Sequence, residues 1–515
     1  MLRLRVLFFF LLVLSIQSIV AEDIPPIPSD WTPIEQSVWK EILAGNTAKL
    51  GSNVEGPITK RQWTDDQKLS ARFIKTILTD PILAHQIPLH GAHIDGALIV
   101  GGIWLSGLEI PCEVSFSGCH FERIFFDQAK FAKSLSFRDS LVDRDVYGPQ
   151  VQIGDYATFD GVYLGENITL DDAHVAGSLW VVSCKMDYLW LARSHVREVE
   201  LWERPDEDFS IKIILDGVKA EKVRFNRFHL ADGSSAKNLV VSDSLSLLAQ
   251  IDGLLELSFS QIAADLDVSE AYLADRLDLT GATVGGSLIL SQDSHSAGWG
   301  PNASLGLKDT SVNFLRDRST AWPSTLQIDG FSYKKWRAAD SAGQQEEFGH
   351  RDLAWFLHWL RSERTYSPEP YRQLASAFRD AGMEDKATSI LFEGKQRERH
   401  TLPVFPKILS TLALVFTGYG YHYEYSVGWS VGFVVLGGAV FAFTREGRLC
   451  RVKARFGISD LFLYSLDAFL PFVKLRNKFG DVDFNGWIRY YFYAHRIAGY
   501  VIGSFVLAAL AGLTK

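Results

Sequence analysis

Three groups of residues have the type and spacing that chemistry requires. His90 and His93, with Asp95 two positions on, can offer a metal two imidazoles and a carboxylate. Asp206, Glu207 and Asp208 put three carboxylates in a row, the donor type that calcium takes. Asp467 lies in the apolar stretch 461–473, where a membrane-proximal carboxylate needs a partner or a task. Each has a plainer origin too: turn chemistry for an HxxH without a clear third ligand, a solvated charge run, and interfacial exposure. None names a reaction, so no residue is assigned to catalysis, to a cofactor or to a resident metal.

Three further motifs fail on context. Gly428-Trp429-Ser430-Val431-Gly432 has the GxSxG form, but that serine needs a strand-to-helix turn and this one sits in an expected membrane helix. Thr417-Gly418-Tyr419-Gly420-Tyr421 has the look of a potassium-filter loop, yet a filter lies between two spans and this segment precedes the first. Ser234-Ser235-Ala236-Lys237 has the SxxK form without a downstream KTG.

The element that must position such residues is a repeat. An apolar-x-apolar doublet recurs every eleven residues at Leu255/Leu257, Leu266/Val268, Leu277/Leu279 and Leu288/Leu290. Earlier doublets at Val114/Phe116, Ile124/Phe126, Leu135/Phe137, Ile168/Leu170, Leu179/Val181, Leu189/Leu191 and Val199/Leu201 keep the spacing at ten to eleven. Both apolar side chains of a doublet fall on one strand face, and small residues near the next corner let the chain turn. This is the signature of a β-solenoid over 90–295, with phenylalanines 116, 126 and 137 inside the tube. The tracts 202–208 and 232–237 break the pattern and are expected to leave the stack as loops. Such a loop could carry function, although a tolerated insertion is the simpler account.

His90-Gly91-Ala92-His93-Ile94-Asp95-Gly96, the run from Leu108 to Phe121 and Gly281-Ala282-Thr283-Val284-Gly285-Gly286-Ser287-Leu288 carry a family resemblance. So do Pro370-Tyr371-Arg372-Gln373-Leu374-Ala375, Gly418-Tyr419-Gly420-Tyr421 and Tyr464-Ser465-Leu466-Asp467. Through them nearly the whole mature chain resembles bacterial membrane proteins with pentapeptide-like repeats, often labelled membrane-associated oxidoreductase. The resemblance implies a mainly β, right-handed pentapeptide-like β-solenoid with helical caps at both ends. The oxidoreductase label implies a redox cofactor, but the residues contain no Gly-rich dinucleotide loop after a strand and no haem or iron-sulfur spacing.

The flanks complete the organisation. Residues 1–21 read as a signal peptide, with Arg3 and Arg5 before the apolar run 6–14 and a cut after Ala21; an uncleaved anchor is the alternative. Residues 22–89 form a helical cap, its first helix opened by the capping box Thr32-Pro33-Ile34-Glu35 and its second from near Thr64 behind Asp65 and Asp66. Residues 296–350 read as an irregular linker and 351–400 as a TPR-like helical hairpin built on Leu374, Phe378, Gly382 and Ala387. Residues 401–515 form a membrane domain with two transmembrane helices near 427–443 and 497–513. Arg445, Arg448, Arg451, Lys453, Arg455, Lys474, Arg476 and Lys478 hold the loop between them in the cytoplasm by the positive-inside rule. The solenoid then lies on the periplasmic or extracytoplasmic side of the inner membrane, as an exported body requires.

Composition excludes some partners. A net charge of -9 leaves no excess of positive charge for a nucleic-acid backbone. Four cysteines without paired CxxC spacing make neither a disulfide scaffold nor a structural zinc site, although Cys112 and Cys119 could bridge in an oxidising compartment. Two function classes follow. One is an envelope interaction or scaffold protein whose solenoid wall takes a protein or polymer partner; the other is an oxidoreductase or ion-conducting element in which the two-span domain works and the solenoid senses or gates.

Overall fold

Each doublet is too short to bury its apolar pair alone, so its partner must come from another turn of the chain. In the computed structural model, which describes residues 28–50, 58–292, 295–339, 345–346, 348, 351–470, 475 and 486–510, every doublet pairs with the next but one. Val114–Ser117 lies parallel between Ala92–Asp95 and Leu135–Arg138, while Ile124–Phe125 lies between Ile103–Trp104 and Val146–Tyr147 on a different wall. The eleven-residue phrase is therefore half a coil. The result is a parallel β-solenoid of about 11 turns.

Inside the tube the expected phenylalanines are buried. Phe116, Phe137 and Phe159 stack one coil above another at 5.6 and 5.5 Å with planes 19° and 9° apart, and Phe126 meets Phe131 edge-on at 5.9 Å. Dense packing also fixes the corners. At Gly96, with φ +75°, a Cβ would stand 2.3 Å from the Leu50 carbonyl oxygen, which only glycine avoids.

The N-terminal segment is less helical than its sequence pattern implies. Helix α1 (Pro33–Leu43) starts with the expected capping box, Thr32 and Glu35 each reaching the other's backbone N–H. The second helix does not begin near Thr64. Asp65–Gln67 is a single 3-10 turn, Lys68–Ser70 pairs with Leu98–Val100, and α2 (Ala71–Thr79) is capped by Ser70. Burying Leu69 in that strand outweighs extending the helix. A short helix α3 (Pro81–Ala84) follows. Because Ala48–Lys49 also pairs with Ala92–Asp95, the cap shields the first coil with strands as well as helices.

Two further expectations need correction. The segment 296–350 is not an irregular linker, because Ser304–Gly306, Ser311–Arg318, Thr325–Gln327 and Ser332–Ala339 continue the parallel ladders. Residues 232–237 stay in the stack, Ser235 bridging Ile214 and Glu256. Cys112 and Cys119 are free, buried thiols, which is the core-residue reading. Burial pushes them up to about 11 and about 12. The signal-peptide residues 1–21 lie outside the described residues.

At the end of the first unit, which runs to Arg351, a carboxylate is enclosed. Asp317 is wholly buried and accepts from Arg351 at 2.8 and 3.3 Å, from Trp336 Nε1 at 2.7 Å and from Trp322 Nε1 at 2.5 Å.

The second unit, residues 352–515, is helical where described. Helices α4 (Leu353–Arg361), α5 (Glu369–Asp380) and α6 (Glu384–Thr401) precede α7 (Val404–Thr417), α8 (Tyr423–Phe443), α9 (Arg445–Ala454), α10 (Ile458–Phe469) and α11 (Trp487–Leu510). Helices α5 and α6 form a hairpin that buries Leu374, Phe378 and Ala387, with Gly382 at φ +75° in its turn. Among the described residues one helix, Glu424–Phe443, is long and apolar enough to cross a membrane. The second expected span, 497–513, is not seen as one. It is the C-terminal part of α11, which also carries Arg489, His495 and Arg496, and residues 511–513 lie outside the described residues, as do Lys474, Arg476 and Lys478.

Candidate binding wall

Strands stacked in register align their outward residues into columns that run along the solenoid. On the wall built from the strands at Ile103, Ile124, Val146, Ile168 and Leu189, one column reads Trp104, Phe125, Tyr147, Thr169, Trp190. Trp104 and Phe125 stack at 4.1 Å with planes 12° apart, and Tyr147 meets Phe125 at 6.0 Å. Trp104, Tyr147 and Trp190 are 55 %, 39 % and 42 % exposed, so the column is a surface feature and not a core. Arg123 lies over Phe125 at 5.2 Å while pairing with Asp145 at 2.9 Å, which flanks the aromatic column with charge.

A second wall carries a groove. Its outward columns are Arg138, Asp160, Val182, Trp202, Asn226 and, beside them, Thr158, Trp180, Glu200, Arg224. Between them lies a concavity of 440 Å³. Arg224 pairs with Glu200 at 2.6 Å, and Arg204 reaches across two coils to Asp160 at 2.5 Å. Thr158 is buried, yet its Oγ1 has no hydrogen-bond partner.

The tract from Glu203 to Phe209 does leave the strand at Trp202, and it is tied down at both ends. Glu203 is buried and accepts from the Phe209 N–H at 2.5 Å; burial raises its pKa against that hydrogen bond. The Arg204 N–H donates to Ser183 Oγ at 2.8 Å. His229 then sits between two carboxylates, Nδ1 on Asp208 and Nε2 on Asp252, both at 2.7 Å. Burial alone would lower its pKa, but the hydrogen bonds and charges of Asp208 and Asp252 outweigh burial and hold it above the usual imidazole value.

The residues singled out by sequence spacing are spread differently. His90 and His93 do come together, with rings stacked at 4.3 Å. Burial, followed by the charge of His90, lowers the His93 pKa against the pull of Glu113, whose Oε1 lies 3.5 Å from His93 Nε2. Asp206 is exposed and Asp208 is taken by His229, so the acidic run does not converge. Among the described residues no group of three or more His, Cys, Asp or Glu side chains could hold a metal ion. Asp467 is half-buried on α10 and accepts from the Leu475 N–H at 2.5 Å.

The rejected motifs have ordinary roles. Ser430 lies within α8 and donates to the Ser426 carbonyl at 2.7 Å. Gly418–Gly420 is a tight turn with positive φ at all three residues. Ser234 donates to the Ala231 carbonyl at 2.8 Å and Lys237 pairs with Glu256 at 2.6 Å.

Sequence reasoning missed both walls and one helical residue. Trp104, Phe125, Trp180 and Trp190 each fill the middle position of a doublet, the outward one, and that regularity was available as a signal. His495 in α11 was not anticipated. It is buried beside Ser465 at 3.4 Å, ringed by Phe433, Phe469 and Tyr491, and its Nδ1 lacks a hydrogen-bond partner. No family model matches the chain, and no curated protein or solved structure shows significant similarity to it.

Proposed function

We propose that this chain is an exported, membrane-tethered β-solenoid that works as an interaction scaffold at the cell envelope, its wall binding a protein or polymer partner. The solenoid is of the right-handed, pentapeptide-like type. A span over Glu424–Phe443 tethers it, with the solenoid on the periplasmic or extracytoplasmic side of the inner membrane. The carrying observation is the outward aromatic column from Trp104 to Trp190, which leaves large rings in water on a wall whose backbone is already paired. The helical unit supports the tether. Val404, Phe405, Val431, Val435 and Phe443 of α7 and α8 are all more than half exposed, as lipid-facing side chains are in the absence of lipid.

Removal of residues 400–515 tests the reading. The expected product is a soluble, β-rich fragment that retains its envelope partner and loses it on joint substitution of Trp104, Tyr147 and Trp190 by Ala. An unfolded fragment, or one that retains nothing, overturns it. A second reading, in which the membrane unit transfers electrons or conducts ions, is favoured by the buried imidazole of His495. Visible absorbance of the purified full chain for haem or flavin, and ion flux in liposomes before and after Asp467→Asn, decide it.

A further inference from the structure

We propose that the groove between Trp180 and Trp202 binds a carboxylate-bearing sugar unit of a polysaccharide. The inference goes beyond the scaffold reading by adding a ligand site on a second wall, and it depends on that reading only for where the polymer is met.

Four features of the groove converge on this ligand. Trp202 is 44 % exposed and Trp180 half-buried, so two indole faces are offered to a ligand; the apolar C–H faces of a pyranose ring suit such surfaces. Thr158 lines the groove, and its Oγ1, shielded from solvent, lacks a hydrogen-bond partner. Asn226, level with Trp202 on the next coil, presents an exposed amide able both to donate and to accept. The fourth feature sets the charge. Arg224 is neutralised by Glu200 and Asp160 is held by Arg204, whereas Arg138 forms no ion pair among the described residues. Its guanidinium acts on Asp160, level with it on the next coil, only through space, and the fork of donors it carries matches a carboxylate.

The 440 Å³ concavity suits a ligand of about two sugar rings. Neighbouring coils stand about 4.8 Å apart, comparable with the length of a pyranose unit, so a chain laid along the solenoid can present successive rings to successive coils. An acidic peptide fits less well. The strands lining the groove are hydrogen-bonded on both sides, which leaves no free edge for a peptide backbone to extend.

The test uses the full chain in nanodiscs with polygalacturonate, methyl-esterified polygalacturonate and polyglutamate, with affinities read by calorimetry. The acid polymer is expected to bind at least tenfold more tightly than its ester. Arg138→Gln should bring the acid down to the level of the ester, and Arg138→Lys should retain part of the preference. Trp202→Ala should weaken both sugar polymers at least tenfold, while Tyr272→Ala, at an exposed site outside the groove, changes neither. Circular dichroism of each variant checks that the coils are intact. The proposal is overturned if neither sugar polymer binds, if the preference survives Arg138→Gln, or if polyglutamate binds as tightly as polygalacturonate. The scaffold reading is tested separately, by protease access to the solenoid in right-side-out and inverted vesicles. A solenoid facing the cytoplasm would sink that reading and leave the polymer affinities as evidence on the groove.

Discussion

Replacing Arg351 by Met should loosen the last coils of the solenoid and leave the first ones intact. Asp317 and Arg351 have side chains 0 % and 4 % exposed. The substitution strands a carboxylate where water does not reach, with the indole donors of Trp322 and Trp336 remaining. Breaking a buried pair from one side costs about 3–5 kcal/mol, most of it the price of the uncompensated charge. In a solenoid each coil contacts only its neighbours, so the loss is local. At about 1.4 kcal/mol per tenfold change in an equilibrium constant, amide hydrogens in Ser311–Arg318 and Ser332–Ala339 should exchange about two to nearly four orders of magnitude faster. Those in Val114–Ser117 and Leu135–Arg138 should not change. Trp322 and Trp336 donate to the same carboxylate, so tryptophan emission should move towards the red in parallel. Removing both charges, with Asp317→Leu and Arg351→Met together, should recover part of the protection, because the desolvation cost goes with the pair while the indole N–H groups of Trp322 and Trp336 lose this acceptor. The reasoning is refuted if Arg351→Met alters exchange in the last coils by less than fivefold, or if the first coils lose as much as the last.

Three other outcomes follow from the same geometry. Phe137→Ala opens a cavity inside the aromatic stack and should cost about 3–5 kcal/mol in denaturant unfolding of the solenoid. Trp104→Ala, at a site 55 % exposed, should stay within about 0.5 kcal/mol; equal losses would place Trp104 in the core. His229 has a raised pKa in the folded state, so its contribution to stability is complete below the ordinary imidazole value and fades as pH rises through the folded one. Proton NMR titration of the His229 ring should therefore give a higher midpoint in the parent than in Asp208→Asn or Asp252→Asn. A midpoint unmoved by either substitution contradicts the bracketing.

The doublets made the solenoid legible because their period and their burial are set by the same alternation. Leu135 and Phe137 show why they did not reveal the coil: one phrase spans half a turn, and nothing local says that its partner is Val114 and not Ile124. The capping box at Thr32 was legible for a related reason, since its reciprocal hydrogen bonds lie within three residues. Beyond Gln292 the phrase weakens where Ser291 pairs antiparallel with Ser296, and a break of that kind inside the stack looks, in sequence, like its end.

The groove fails to show in the sequence for a geometrical reason. Arg138, Asp160, Val182, Trp202 and Asn226 are separated by one coil each, and the number of residues per coil varies from step to step, so the column has no fixed period to search for. Side chains that meet along the stack are therefore the ones a linear motif cannot join. His90 and His93 lie close in sequence and pack against each other, while Asp208, His229 and Asp252 lie a coil apart and make the shorter contacts. In a solenoid, candidate chemistry is better sought among residues one coil apart than among residues three or four apart. The orphaned hydroxyl of Thr158 is the clearest case, because its isolation depends on what the neighbouring coils leave unfilled and on nothing in its own segment.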